Sequence, residues 1–209
     1  DEDVTPIKPD LTLKVQTDVA GFVMDENDEP VFNAVVLAGN KSAKTDEFGY
    51  FEITDASVPE IAGFVKVGKN GYFNGYKTFL AEEDGETFIR IKLLTQNNPG
   101  DIDASAGGNV EIGNGARLSL PANAVVVASS GAAYTGTINV AAHFIDPTNI
   151  EAAQLQTPGD TRGTDDEDHL RLLNIYSTLA VELTSSSGQL LQIATGKQAT
   201  ITMPIPSNM

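Results

Sequence analysis

The chain contains no cysteine and no tryptophan, only two histidines, and 13 basic residues against 29 acidic ones. Without cysteine there are no disulfides, no thiolate metal sites and no cysteine nucleophile. The two histidines, His143 and His169, cannot assemble the usual three-ligand zinc site without a carboxylate, and no His-x-x-x-His spacing occurs. Lack of tryptophan removes the largest ring for stacking on a sugar. The shortage of base leaves a net charge of −16, which repels polyanions, so nucleic acid and anionic lipid surfaces are excluded as partners. No apolar run approaches the ~20 residues that span a bilayer. There is no Gly-x-Ser-x-Gly elbow and no phosphate loop, and "GGNVEIGNG" reads as a hairpin because it carries no lysine. These absences point away from an enzyme.

What the chain does have is a core and a regular rhythm. Hydrophobic residues make up 41% of 209, enough to fill one large domain or two ordinary ones. In "LTLKVQTDVAGFVMD" apolar residues recur at every second position: Leu11, Leu13, Val15, then Val19, Gly21 and Val23. "FEIT", "GFVKV", "YKTFLA" and "TFIRIKLL" continue the pattern, separated by "DENDEP", "TDEFG", "GKNG" and "EEDGE". Period-two segments with turn formers between them predict an all-β protein built of antiparallel sandwiches.

Residues 95–105 interrupt the pattern with a polar stretch containing Pro99 and Gly100, which reads as a linker. A second β-rich stretch fills 106–206, so the expected organisation is two β-sandwich domains in tandem, 12–94 and 106–206, after a tether at 1–11. Residues 146–175 form an unusually long connection, with a helical turn expected at Ile150–Leu155.

"TDEFGYFEI", residues 45–53, is the most informative short segment. Thr45 and Asp46 are suited to bonding neighbouring amides, and Gly49 to a positive φ angle, while Phe51 and Ile53 should enter the core from the strand that follows. With "GFVMDENDEPVFNAVV" before it, this segment resembles the carboxypeptidase regulatory-like domain, a transthyretin-like module of Bacteroidetes surface proteins. The resemblance rests on Gly21–Val23, Asp25–Pro30, Ala34–Val35, Thr45–Phe51 and Gly71–Tyr72. It implies a seven-stranded Greek-key sandwich over 12–94 with an accessory, non-catalytic role. The second half resembles the extracellular β-module of cartilage intermediate layer protein, through Gly107–Gly108, Leu120–Ala124, Tyr134–Val140, Asp146–Pro147, Pro158–Asp160, Gly196–Lys197 and Met203–Pro206. That resemblance implies an extracellular contact role. The opening "DED" is similar to the acidic stretch that follows the lipidated cysteine of Bacteroidetes surface lipoproteins, implying export to the cell surface or outer membrane with membrane contact only through a lipid anchor. Further domains are expected after Met209.

Calcium is the one cofactor worth weighing. "DTRGTDDED" supplies Asp160, Asp165, Asp166, Glu167 and Asp168 as oxygen ligands for a hard cation, against the alternative of a solvated acidic loop. His169, next to this run, belongs in a surface ion cluster, and His143 in a strand. "GKNGYFNGYKTF" places Tyr72 and Tyr76 on one parity of a strand and Phe73 and Phe79 on the other, so one aromatic set is expected in the core and the other outside. The candidate contact surface is therefore Tyr72, Tyr76 and the 157–172 loop with His169. The functional expectation is a non-catalytic cell-adhesion or binding scaffold with an unknown protein or glycan partner. The alternative is a carbohydrate-binding accessory lipoprotein of a polysaccharide-uptake system.

Overall fold

The computed structural model describes residues 8, 10–149, 153, 155–156, 162–173 and 175–205. The expected tether lies mostly outside them, as does Asp160; of the expected helical turn, Ala153 and Leu155 are described, and both are helical, as is Gln156. The chain forms two compact units, Asp1–Leu94 with Asn149–Ile175, and Thr95–Thr148 with Tyr176–Met209.

The N-terminal part of unit 1, up to Leu94, contributes seven strands in two sheets among its described residues. They are β1 (Lys14–Asp25), β2 (Val35–Ala38), β3 (Lys41–Lys44), β4 (Tyr50–Pro59), β5 (Gly63–Gly68), β6 (Gly75–Phe79) and β7 (Gly85–Leu93). One sheet has the order β4-β1-β7 and the other β3-β2-β5-β6. The period-two pattern sets which side chains meet between the sheets. Along β1, Val15, Thr17, Val19, Gly21 and Val23 are buried, and Val36, Phe51, Val65, Val67 and Ile91 complete the core. β1 pairs antiparallel with β4 and parallel with β7. Gly21 is a tight point of the latter pairing: a Cβ there would lie 1.9 Å from the Ile89 carbonyl oxygen, so no larger residue fits without parting the strands. A bulge sets two β4 residues, Thr54 and Asp55, opposite Asp18 of β1, with Asp55 at φ +53°. It is held by the Asp18 carboxylate, which accepts from the Asp55 N–H at 2.9 Å.

The turns are built by a recurring device. Asp25 Oδ1 accepts from the amides of Asn27 and Glu29 at 2.8 and 2.9 Å. Asp46 Oδ1 accepts from those of Phe48 and Tyr50 at 2.9 and 2.8 Å. In both, one carboxylate oxygen closes the loop on residues two and four ahead. Gly49 has φ +77°, and its carbonyl accepts from Val23 N–H at 2.8 Å, tying the second turn to β1. Buried Thr45 fastens the neighbouring loop, donating from Oγ1 to Val31 O at 2.5 Å and accepting from Ala34 N–H at 2.8 Å. β2 begins at Val35, after Asn33 takes φ +56° and turns the chain.

Unit 2 starts with β8 (Gly100–Asp103), β9 (Gly108–Gly113), β10 (Ala116–Leu120), β11 (Val125–Val127) and β12 (Thr137–Ile145). The supposed linker at 95–105 is thus corrected. Ile102 is buried opposite Ile138, and β8 forms the edge of a sheet by pairing with β12. Its polar character reflects turns, such as the Asn98 side chain accepting from Gly100 N–H at 2.9 Å, rather than a flexible spacer. The β9–β10 hairpin expected from "GGNVEIGNG" forms, with Asn114 and Gly115 both at positive φ. The chain then leaves unit 2. Asn149–Ile175 groups with unit 1 rather than with a module running through 106–206. It contributes the hairpin β13 (Arg162–Thr164) and β14 (Leu170–Leu172), and Arg162 Nη1 donates to Ile61 O at 3.2 Å. Unit 2 is completed by β15 (Thr178–Ser185), β16 (Leu190–Ile193) and β17 (Thr200–Thr202). Its sheets run β11-β16-β15-β12-β8 and β17-β10-β9, closing on Val110, Leu118, Ile138, Val140, Leu183 and Leu191.

Candidate functional site

The outer face of the β3-β2-β5-β6 sheet is where the described residues concentrate exposed apolar surface on rigid strands. Register sets its membership. Val36, Ala38, Val65 and Val67 point inward, so their neighbours Val35, Leu37, Phe64 and Lys66 point outward. Across the strands, Leu37 pairs with Ser42 and Lys66, Lys66 with Tyr76, Phe64 with Thr78, and Val35 with Lys44. Val35, Leu37 and Phe64 are 41, 42 and 42% exposed. Phe64 and Tyr76 stack with ring centroids 5.6 Å apart and an interplanar angle of 24°, and Lys66 Nζ lies 5.8 Å from the Tyr76 ring centre. None of these outward strand positions carries a carboxylate, although the chain has 29 acids. Neither Lys44 nor Lys66 is ion-paired among the described residues. The face is therefore apolar and aromatic with a positive sign, on a strongly negative chain.

Beside this face, β6 and β7 leave an open groove of about 500 Å3 at the edge of the sandwich. Lys77, Thr78, Thr87, Phe88, Arg90 and Leu155 are among its lining residues. Phe88 is 54% exposed and packs edge-to-face on Phe22, which in turn packs on Tyr50. The Thr78 hydroxyl is buried and makes no hydrogen bond. The groove thus collects an aromatic ring, two hydroxyls and two cations.

No protein-family model matches the chain, and no curated protein matches it significantly. Solved structures share a remote likeness. A candidate membrane-associated protein of unknown function from Bacteroides fragilis is 11% identical over 90% of this chain and 97% of its own, with a TM-score of 0.32. A candidate carbohydrate-binding protein from Bacteroides uniformis is 9% identical over 91% of this chain and 100% of its own, with a TM-score of 0.30. A streptococcal ancillary pilin is 10% identical over 92% of this chain and 60% of its own, with a TM-score of 0.26. Likeness at this level assigns neither ligand nor role.

The residues singled out from sequence do not form one site. Tyr76 lies on the outer face, but Tyr72 precedes the strand and packs against the edge of the unit 1 core. There, burial first and then the carboxylates of Asp25 and Glu26 push its phenol above the usual range. Phe79 faces inward, as one of the two expected aromatic sets should.

Of the calcium candidates, Asp165 closes a turn, and Asp160 lies outside the described residues. Asp165 repeats the device of Asp25 and Asp46, its Oδ1 accepting from the amides of Glu167 and His169 at 3.1 and 2.9 Å. Its Oδ2 accepts from Arg171 Nε at 2.8 Å. The His169 amide foremost, with Arg171, holds the Asp165 carboxyl down at about 2. Asp166 and Asp168 are exposed, and Asp168 occupies the positive-φ corner of the turn. Among the described residues no group of three or more potential ligands is placed to hold a metal ion. His169 sits beside this turn, with Nδ1 3.4 Å from Glu167 and 3.6 Å from Asp165. It belongs to unit 1, whereas His143 lies on β12 in unit 2.

Phe64, Lys66, Thr78, Phe88 and Arg90 were missed in the sequence. The signal for the first two was present in "GFVKV", where the buried valines put Phe64 and Lys66 on the other face. The groove depends on β6 and β7 lying at neighbouring edges of different sheets, which no local pattern encodes.

Proposed function

We propose that the chain is a non-catalytic binding module of an exported surface protein, docking partners on the outer face of the β3-β2-β5-β6 sheet. The observation that carries this reading is the exposed Phe64–Tyr76 stack with Val35 and Leu37 around it, on a face without carboxylates. Single exposed apolar residues are ordinary, but a contiguous set on a rigid sheet marks a contact surface. Sandwich strands hold such a patch without reorganisation on binding, which keeps the entropic cost of association low. The resemblance of residues 12–94 to an accessory module of bacterial surface proteins supports the same role. Beads coated with the protein would be tested against an array of extracellular glycans and matrix proteins. Retention by at least one array member, lost in the Leu37→Glu/Phe64→Glu variant with unchanged circular dichroism, is expected. No retention, or equal retention by the variant, overturns the reading.

A second reading, carbohydrate binding, is favoured by the groove alongside that face. Arg90 and the exposed Phe88 ring, lining about 500 Å3, suit a polar ligand with an apolar face.

A further inference from the structure

We infer that the outer face of the β3-β2-β5-β6 sheet takes an acidic protein segment, whose carboxylates meet Lys44 and Lys66 on either side of an apolar side chain seated on Val35 and Leu37. The inference rests on the docking reading of that face and names its partner. Charge complementarity carries it. Val35, Leu37, Phe64 and Tyr76 share the face with the two lysines, and no outward strand position there is aspartate or glutamate, on a chain with 29 acids and 13 bases. Lys44 is exposed and Lys66 half-buried, and neither is ion-paired among the described residues. The Lys66 ammonium instead lies over the Tyr76 ring, 5.8 Å from its centre, which keeps that charge beside the Phe64–Tyr76 stack. Lysine stems that lie along apolar surface leave their ammonium groups in water, where a partner's carboxylate reaches them.

The register gives the partner's pattern. Lys44 stands opposite Val35 and Lys66 opposite Leu37, so the two lysines lie diagonally across β2 with both apolar residues between them. Strands about 4.8 Å apart, and successive same-face residues about 6.8 Å apart, put the two lysine backbones roughly 12 Å from each other. In an extended segment, residues i, i+2 and i+4 share one face, and the outer two are about 13–14 Å apart. The order acid, spacer, apolar, spacer, acid therefore matches the order lysine, apolar pair, lysine. A second copy of the same face is a poor occupant, since it would set lysine against lysine between molecules that each carry a net charge of −16.

The test is selection of a phage-displayed library of random linear peptides on the immobilised full chain. Peptides retained by wild type should be enriched in the pattern acid-x-apolar-x-acid and depleted of lysine and arginine. A synthetic copy of the most enriched peptide then gives affinities by fluorescence anisotropy. Lys44→Gln/Lys66→Gln should weaken it about tenfold, since two exposed ion pairs are worth about threefold each. The same variant should flatten the loss of affinity that wild type shows as salt is raised. Selection on Lys44→Glu/Lys66→Glu should turn the enrichment toward lysine and arginine, with circular dichroism unchanged. An enrichment indifferent to charge, or a glutamine variant that binds like wild type, overturns the acidic partner. If Leu37→Glu/Phe64→Glu still abolishes binding in that case, the docking face remains; if it binds like wild type, the docking face falls as well. Reversible self-association of wild type in sedimentation, abolished by the lysine substitutions, overturns the assignment in favour of a second copy of the chain.

Discussion

Thr45 joins two loops of unit 1 through one hydroxyl, and replacing it with valine isolates that contribution. Valine is nearly the same shape, so no cavity opens and the strand beyond is undisturbed. The change strips a donor from Val31 O and an acceptor from Ala34 N–H, both served only by this hydroxyl among the side-chain bonds of the described residues. Thr45 is 2% exposed, so water does not easily replace it. Each buried backbone group left unpaired costs about 1–3 kcal/mol, so the pair should cost about 2–6 kcal/mol. That is a large fraction of the 5–15 kcal/mol typical of a domain. With a urea slope of roughly 1–3 kcal/mol/M, the unfolding midpoint of unit 1 should fall by roughly 1–3 M. Hydrogen exchange of peptides covering residues 31–53, followed through a urea series, reads unit 1 apart from unit 2. Thr45→Ser, which keeps the hydroxyl, should retain most of the stability. A Thr45→Val midpoint within error of wild type would refute the reasoning, as would a serine variant as weak as the valine one.

Four further outcomes follow from the same kind of reasoning. Thr78→Val removes a buried hydroxyl that has no partner, so in the absence of ligand it should stabilise unit 1 by about 1 kcal/mol in chemical denaturation; destabilisation would mean the hydroxyl is in fact bonded. Asp165 has a folded pKa of about 2 against an ordinary 3.8, so its support of the β13–β14 hairpin is complete above about pH 4 and lost as pH falls through 2. The protection of amides in residues 162–172, taken relative to the intrinsic exchange rate at each pH, should fall over that range in wild type and be insensitive to it in Asp165→Asn. Gly21→Ala drives a methyl onto the Ile89 carbonyl and should destabilise unit 1 by about 3 kcal/mol or more, measured by the loss of soluble folded protein or a lowered thermal midpoint. Calcium and a chelator should leave the melting temperature equal, since a cation bound only by the folded chain has to raise it; a rise with calcium would restore the acidic loop as a metal site.

Much of the fold was legible because it is locally encoded. Alternation in β1 and in "FEIT" placed Val19, Val23, Phe51 and Ile53 in the core, and the turn residues of "DENDEP" and "TDEFG" sit where their chemistry suggests. The shortfalls have physical causes. β8 was hidden in polar residues because only Ile102 of the strand is buried, and a short edge strand needs no longer apolar run. The membership of Asn149–Ile175 in unit 1 depends on contacts made far along the chain, such as Arg162 with Ile61. The acidic loop was ambiguous because aspartate serves equally well as a cation ligand and as a closer of turns. Asp25, Asp46 and Asp165 share the second use, and only geometry separates the two. Tyr76 was identified without its surroundings, since its stacking partner lies on another strand.

The pairing of β1 with β7, and the return of residues 149–175 to unit 1, impose an order on biosynthesis. Once synthesised, β1 waits for Leu93 before its sheet is closed, and unit 1 is incomplete until Ile175 has followed. By then β8 to β12 have already emerged, exposed and without β15 to cover their sheet. The nascent polypeptide thus carries two half-built sandwiches at once, and unpaired strand edges of this kind are open to misassembly until the later strands follow.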